Sequence, residues 1–146
     1  EMPQVFDLLW EIERQIRCTY RGASIAVWGA AWKDSCLSSA DLKKKVLTRA
    51  GDFAYRGVKS LSKLRDPLEW LTLSELLALI EEKSGKIGDL GVEASLWRRF
   101  AMEVLPIRNQ VSHMRLIRSG DVLTLQAWST LLRSQLKASP RLANGA

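Results

Sequence analysis

The 146-residue chain predicts an all-α fold, a bundle of four or five helices with short connections. Three observations predict it. Apolar residues recur at spacings of three and four along most of the chain, no stretch alternates with period two, and Gly and Pro punctuate the apolar runs. No internal repeat or low-complexity segment is visible. Residues 1–146 are expected to form a single domain, able to bury about two thirds of the surface its unfolded chain exposes. Disulfide staples are therefore not required.

The first helix starts near Pro3 and carries Val5, Leu8, Leu9, Ile12 and Ile16 as its inward stripe. Its other faces hold Glu11, Glu13, Arg14, Arg17 and Arg21, and the three Arg form a ridge that reads as a solvated face. From Gly22 to Cys36 small residues mix with Trp28 and Trp32, which fits either a tightly packed helix or an ordered loop. Ser38, Ser39 and Asp41 are N-cap candidates for a second helix through Leu42, Val46, Leu47, Ala50 and Phe53. It is expected to continue, bent or interrupted near Gly57, to Leu64, and to be ended by Pro67. Thr72 and Glu75 form a capping box that opens the most hydrophobic helix, through Leu76, Leu77, Leu79 and Ile80, with Gly85 as its end. Gly85, Gly88 and Gly91 mark a loop. Leu96, Trp97, Phe100, Val104 and Leu105 then restore helical periodicity, and Pro106 is expected to bend or break that helix and to stand at the first position of a new helical turn. Ser119 or Asp121 caps a last helix with Val122, Leu125, Leu132 and Leu136 inward, and the tail from about 140 is expected to fray.

Composition narrows the function. Lys and Arg number 22 against 16 Asp and Glu, a net charge of +6, and thirteen of the cations are Arg, the side chain that grips phosphate with two hydrogen bonds at once. An acidic partner is favoured, with nucleic acid or nucleotide foremost. The longest nearly apolar stretch, Gly22 to Trp32, is about half of the ~20 residues a membrane span needs, so no membrane is expected. Cys18 and Cys36 have no Cys or His cluster around them, and reduced thiols in a cytoplasm are the expectation. Cys18 reads as a small buried thiol. Because Glu1 precedes Met2, the chain is expected to be either an artificially bounded expression product or a piece of something longer.

Several chemistries drop out. One His and two separated Cys cannot build a Cys/His zinc site, and there is neither a Gly-rich phosphate loop nor an EF-hand loop. No cofactor and no metal ligand set is expected. The pairs Glu11/Glu13 and Glu81/Glu82 read as solvated surface, since residues one or two apart on a helix face different ways. His113 remains. Asn109 lies four residues before it and so shares its stripe, while Arg108, five before, is rotated from it by about 140°. A twofold copy of this helix would bring a second Arg and His to the opposite wall of a shared cleft. Neutral imidazole can take the proton of an RNA 2′-OH near pH 7, and guanidinium can stabilise the charge that grows on phosphorus. Between Arg98 and Arg118 five Arg stand against one acid, Glu103. With the positive end of a helix begun at Pro106, Arg115 and Arg118 among them are expected to hold a polyanion in register.

At Arg108-Asn109-Gln110-Val111-Ser112-His113 the sequence resembles the HEPN superfamily, the higher eukaryote and prokaryote nucleotide-binding domains, whose mark is Arg, usually a polar residue, a short gap and His. The likeness extends to the ridge Glu13-Arg14-Gln15-Ile16-Arg17, the apolar run Leu71-Thr72-Leu73-Ser74-Glu75-Leu76-Leu77, and the aromatic segment Trp97 to Phe100 that enters the motif. It looks most like the HEPN modules attached to PIN-type RNA endonucleases and to bacterial defence proteins. The resemblance implies an all-helical homodimer whose two motifs meet and cut RNA without metal, leaving a 2′,3′-cyclic phosphate and a 5′-OH. It implies Arg108 and His113 as catalytic, and Asn109 as the polar residue that orients His113 or the phosphate. Glu13 and Arg17 are expected as cleft-lining partners. The expected role is a toxin or antiviral defence ribonuclease, with an antitoxin or a fused regulatory domain as a further partner. Members paired with nucleotidyltransferase antitoxins place Tyr two residues after the His, where Arg115 stands here, so control through that Tyr is not expected. The alternative is a non-catalytic HEPN module that binds RNA, a nucleotide or a protein partner within a larger protein.

Overall fold

The computed structural model describes residues 2–53, 56–113 and 116–136. In chain order its helices are α1 (Met2–Trp28), α2 (Trp32–Ser35), α3 (Ala40–Gly51), α4 (Leu73–Glu82), α5 (Ser84–Ile87), α6 (Ala94–Ser112) and α7 (Asp121–Gln135). Single 3-10 turns cover Gly29–Ala31, Leu61–Lys63 and Pro67–Trp70. Among the described residues there is no strand, and the fold is an all-helical bundle.

α1 is the spine. Val5, Leu9, Ile12, Ile16, Tyr20 and Ala23 are all buried and follow each other at spacings of four and three, one unbroken stripe. The helix runs straight through Gly22, because Ala23 and Ser24 are also buried there, and stops at Gly29, whose φ of 58° is left-handed. Of the two readings for 22–36, helix wins as far as Trp28 and a turn with the short α2 takes the rest. α1 packs along α7 and also meets α2, α4 and α5. The Tyr20 hydroxyl donates to the Cys36 carbonyl at 2.6 Å, tying the spine to the end of α2. Burial raises the Tyr20 phenol above its ordinary pKa and pushes the Cys36 thiol up to about 12. Cys18, by contrast, is exposed, so the reading of it as a buried thiol is corrected. It sits on the solvent side of α1, two residues past the buried Ile16.

The second helix ends earlier than its periodicity suggests. α3 begins at Ser39, whose hydroxyl accepts from the Leu42 N–H, and closes at Gly51 rather than reaching Leu64. Phe53 is 80% exposed and stacks on Trp70 with ring centroids 6.0 Å apart. Leu61, Leu64, Leu68 and Leu71 are buried at helix-like spacings, yet two 3-10 turns deliver them. Pro67 opens the second of these turns rather than ending a helix: Asp66 caps it by accepting from the Leu68 N–H, and Pro gives up an N–H that the first position of a turn does not use. The capping box at Thr72 and Glu75 is present in both directions. Gly85 lies inside α5, and it is Gly88, at φ 76°, that stops the chain's helical course there.

Pro106 does not break α6. The helix is continuous from Ala94 to Ser112 with Pro106 inside it. A proline leaves the carbonyl four residues earlier without its partner, here that of Met102. Met102 is 78% exposed and Pro106 is exposed too, so that carbonyl lies on the face open to water and the loss is tolerable. The inward stripe, Phe100, Val104, Ile107 and Val111, holds the helix in place on both sides of the proline. Phe100 is clamped edge-on by Trp97 and Trp128, with centroids at 6.0 and 5.3 Å. α7 starts at Gly120 in the left-handed region, not at Ser119, and the buried Asp121 carboxylate accepts from the Arg118 N–H at 2.9 Å. Leu125 and Leu132 are buried as expected, while Val122 and Leu136 are half-buried. The tail from 140 lies outside the described residues.

Candidate functional site

Two helix faces meet where Arg108 reaches α1. On α6, Arg108 follows the buried Ile107, and on α1 Glu13 follows the buried Ile12, so both side chains stand at the edge of the core stripe of their helix. Arg108 Nε donates to Glu13 Oε2 at 3.0 Å, and Arg17 Nη2 donates to Glu13 Oε1 at 3.1 Å. Glu13 is only 8% exposed, which corrects the reading of Glu11/Glu13 as a solvated pair. A carboxylate this buried needs a counter-charge, and here each oxygen has one. Arg17 donates further to the carbonyls of Leu68, at 3.1 Å from Nε, and Leu71, at 3.0 Å from Nη2. The Arg14/Arg17/Arg21 ridge is therefore not one solvated face. Arg17 is tied to the turn before α4, Arg21 pairs with buried Asp66 at 2.8 Å, and Arg14 alone lies out over the Trp10 ring.

Arg108 is held but not used up. Its Nη1 donates to the Ser112 hydroxyl, one turn further along α6, and its Nη2 has no hydrogen-bond partner among the described residues. The side chain lines a cleft of about 220 Å³ together with Phe6, Trp10, Glu13, Arg17 and Val111. Thus the structure brings Arg108, Glu13 and Arg17 into one site, although they are as much as 95 residues apart in the chain.

His113 stands apart from that cleft. It is the C-cap of α6, its backbone N–H donates to the Asn109 carbonyl at 3.1 Å, and its imidazole is exposed with no hydrogen bond among the described residues. Asn109 is exposed as well. The pair is at the C-terminal end of a helix, so the expected positive helix end at Pro106 is absent and the nearest helix dipole presents its negative end. The basic surround is also thinner than the sequence count. Arg99 pairs with Glu103 at 2.8 Å, Arg118 lies 3.6 Å from Asp121, and Arg115 lies outside the described residues. Hydrogen bonds from Arg99 and then from Trp128 hold the Glu103 carboxyl below the usual carboxylate range.

A second recess of about 280 Å³ lies on the α4–α6 side, lined mainly by Leu77, Ala78, Trp97, Ala101 and Leu105. Glu81, Asp89 and Arg98 also line it, with no ion pair among them. No group of three or more His, Cys, Asp or Glu side chains among the described residues could hold a metal ion, and no described helix is long and apolar enough to cross a membrane. Comparison with models of protein families, with curated proteins and with solved structures yields no match.

Proposed function

We propose that the chain is a metal-independent RNA endonuclease of toxin or antiviral defence type, a HEPN-like module acting as a twofold dimer. The observation that carries this reading is the Arg108 guanidinium, oriented at a cleft by buried Glu13 with donors left over, on the same helix as an unoccupied, exposed imidazole. The chemistry needs little else. An imidazole takes the proton of the ribose 2′-OH, the 2′-oxygen attacks phosphorus, and the guanidinium stabilises the charge on the phosphoryl oxygens. The 5′-oxygen departs and takes a proton from an imidazolium, leaving a 2′,3′-cyclic phosphate and a 5′-OH. Within one chain Arg108 turns toward α1 and His113 faces solvent, so the reading requires the imidazole of a second copy to meet the Arg108 cleft. Asn109 then orients that imidazole or the phosphate, and Arg115 and Arg118 supply contacts to the RNA backbone. A cytoplasmic location and an antitoxin or fused regulatory domain go with this function.

The separation of Arg108 from His113 within one chain favours a second reading, a non-cleaving module that binds RNA, a nucleotide or a protein partner. One experiment separates the two. Purified protein incubated with RNA in EDTA is expected to give fragments with cyclic phosphate ends, to leave DNA intact, and to sediment as a dimer. Arg108→Ala and His113→Ala are each expected to abolish cleavage while keeping the dimer. A His113→Ala protein that cuts at the wild-type rate, or a wild-type protein that cuts nothing, rejects the nuclease and leaves the binding module.

A further inference from the structure

Phe6, Trp10, Glu13 and Arg17 follow one another along α1 at spacings of four, three and four, so they share one face beside the core stripe. All four line the Arg108 cleft. The charged pair is engaged in holding Arg108 and the turn before α4. The aromatic pair has no comparable task, and both rings are left in water: Trp10 is 66% exposed and Phe6 47%. Tyr20, Phe100 and Trp128 are buried in the same molecule, and the exposed Phe53 has the Trp70 ring to stack on. A single exposed ring needs no explanation, but two neighbouring rings on the rim of a cationic cleft ask for a flat, apolar occupant that carries negative charge. Arg14, 5.2 Å from the centroid of the Trp10 ring, steadies the indole and adds its charge. In the cleft lining itself Arg17 and Arg108 stand against the single carboxylate of Glu13.

We infer that Trp10, with Phe6 beside it, stacks on the base of the nucleotide whose phosphate meets Arg108. The inference rests on the RNA reading above and adds the contact that positions the strand. A phosphate satisfies the remaining donors of Arg108, while the base removes the indole from water. Because every base has a π face, this contact orients the nucleotide without selecting its sequence.

The test is fluorescence anisotropy of a labelled short oligouridine with 2′-O-methyl groups, which cannot be cut by 2′-oxygen attack, titrated with the full chain in EDTA. Trp10→Ala is expected to weaken binding about 5- to 150-fold, Trp10→Phe to keep most of it, and Phe6→Ala to weaken it less. On the same backbone without bases, wild type and Trp10→Ala are expected to bind equally. Equal binding of the base-bearing strand by wild type and Trp10→Ala overturns the stack. So does a change of oligomeric state in Trp10→Ala, which makes the ring a contact between copies. Failure of the wild type to bind oligouridine at all removes the stack and the RNA reading together. Binding that depends on Trp10, in a protein that leaves unmodified RNA uncut, supports the stack and removes only the nuclease.

Discussion

At the α3–α4 corner, Arg49 lays its two Nη groups on the two oxygens of Glu75, at 2.6 and 3.1 Å, and also donates to the Trp70 carbonyl at 2.8 Å. Glu75 in turn accepts the Thr72 N–H that starts α4. At the α1–α6 seam Glu13 instead divides its oxygens between Arg17 and Arg108, and Arg108 keeps an Nη2 without a partner among the described residues. Both clusters use the same residue types to join elements distant in sequence. The first is bidentate and built into a helix cap, with three of the five Arg49 N–H donors engaged, and Arg49 also borders a recess with Asp41, Lys44, Lys45 and Thr48. The second is open on one side, and that side is a cleft. An arginine gripped bidentately at a helix cap is architecture, whereas one that shares a carboxylate with a second arginine and keeps a whole Nη group unclaimed by the described residues over a ring-lined cleft is prepared for an anion.

The contrast predicts different consequences for equivalent substitutions. The largest is expected for Glu13→Ala, which strands two guanidinium groups beside each other at the edge of the core. Removing one partner of a fully buried pair costs about 3–5 kcal/mol; Arg17 and Arg108 keep some access to water, so the loss is expected at the low end, about 3 kcal/mol, and urea denaturation monitored by circular dichroism measures it. Glu13→Gln, which keeps shape and one acceptor, is expected to lose less. Next come the two arginines. Arg108→Ala is expected to reduce single-turnover RNA cleavage by about 10²–10³ at least, the effect of deleting one donor to a developing oxyanion. Arg49→Ala is expected to leave that rate unchanged while lowering stability by about 1–3 kcal/mol. Similar loss of cleavage in both variants would erase the distinction between the clusters.

The smallest effect is on pH dependence. Hydrogen bonds from Arg49, ahead of those from Thr72, hold the Glu75 carboxyl below the usual carboxylate range, and the same contact raises Arg49. A depressed carboxyl stabilises the fold fully above its unfolded value, about 4.3, and loses that contribution as the pH falls through the folded value. Glu75→Gln is therefore expected to be less stable than wild type at neutral pH, with the difference shrinking as the solution is acidified below about pH 4. A difference that stays constant down to acid unfolding would show that the pair contributes nothing through charge.

Much of the fold was legible because its signals are local. The stripe from Val5 to Ile16, the capping box at Thr72 and Glu75, and the periodicity from Trp97 to Val104 each need only neighbours in the sequence. The misreadings have a common origin, in that each depends on which side of an element faces water. Pro106 stays within α6 because the carbonyl it orphans is on the outer face, and nothing in the local sequence says so. Leu61, Leu64 and Leu68 mimic a helix that two short turns replace. For the site, Arg108, Asn109 and His113 could be picked out by type and spacing, and Glu13 and Arg17 by their ridge. The bond between Glu13 and Arg108 was not legible, since it spans 95 positions and has no pattern of its own. The missed signal was Phe6 and Trp10, which extend the Glu13/Arg17 face by two turns and look, from spacing alone, like ordinary members of an amphipathic helix.

The two cysteines, one open to solvent on α1 and the other sealed behind Tyr20 with its thiol pushed up to about 12, give the molecule a built-in clock. A thiol reagent at mildly alkaline pH reacts at once with the first and waits on the second until the corner between α1 and α2 parts. The slower reaction reports the opening of the spine in unlabelled protein: the population of the open form when reclosure is fast, and the opening rate itself when the reagent outpaces reclosure.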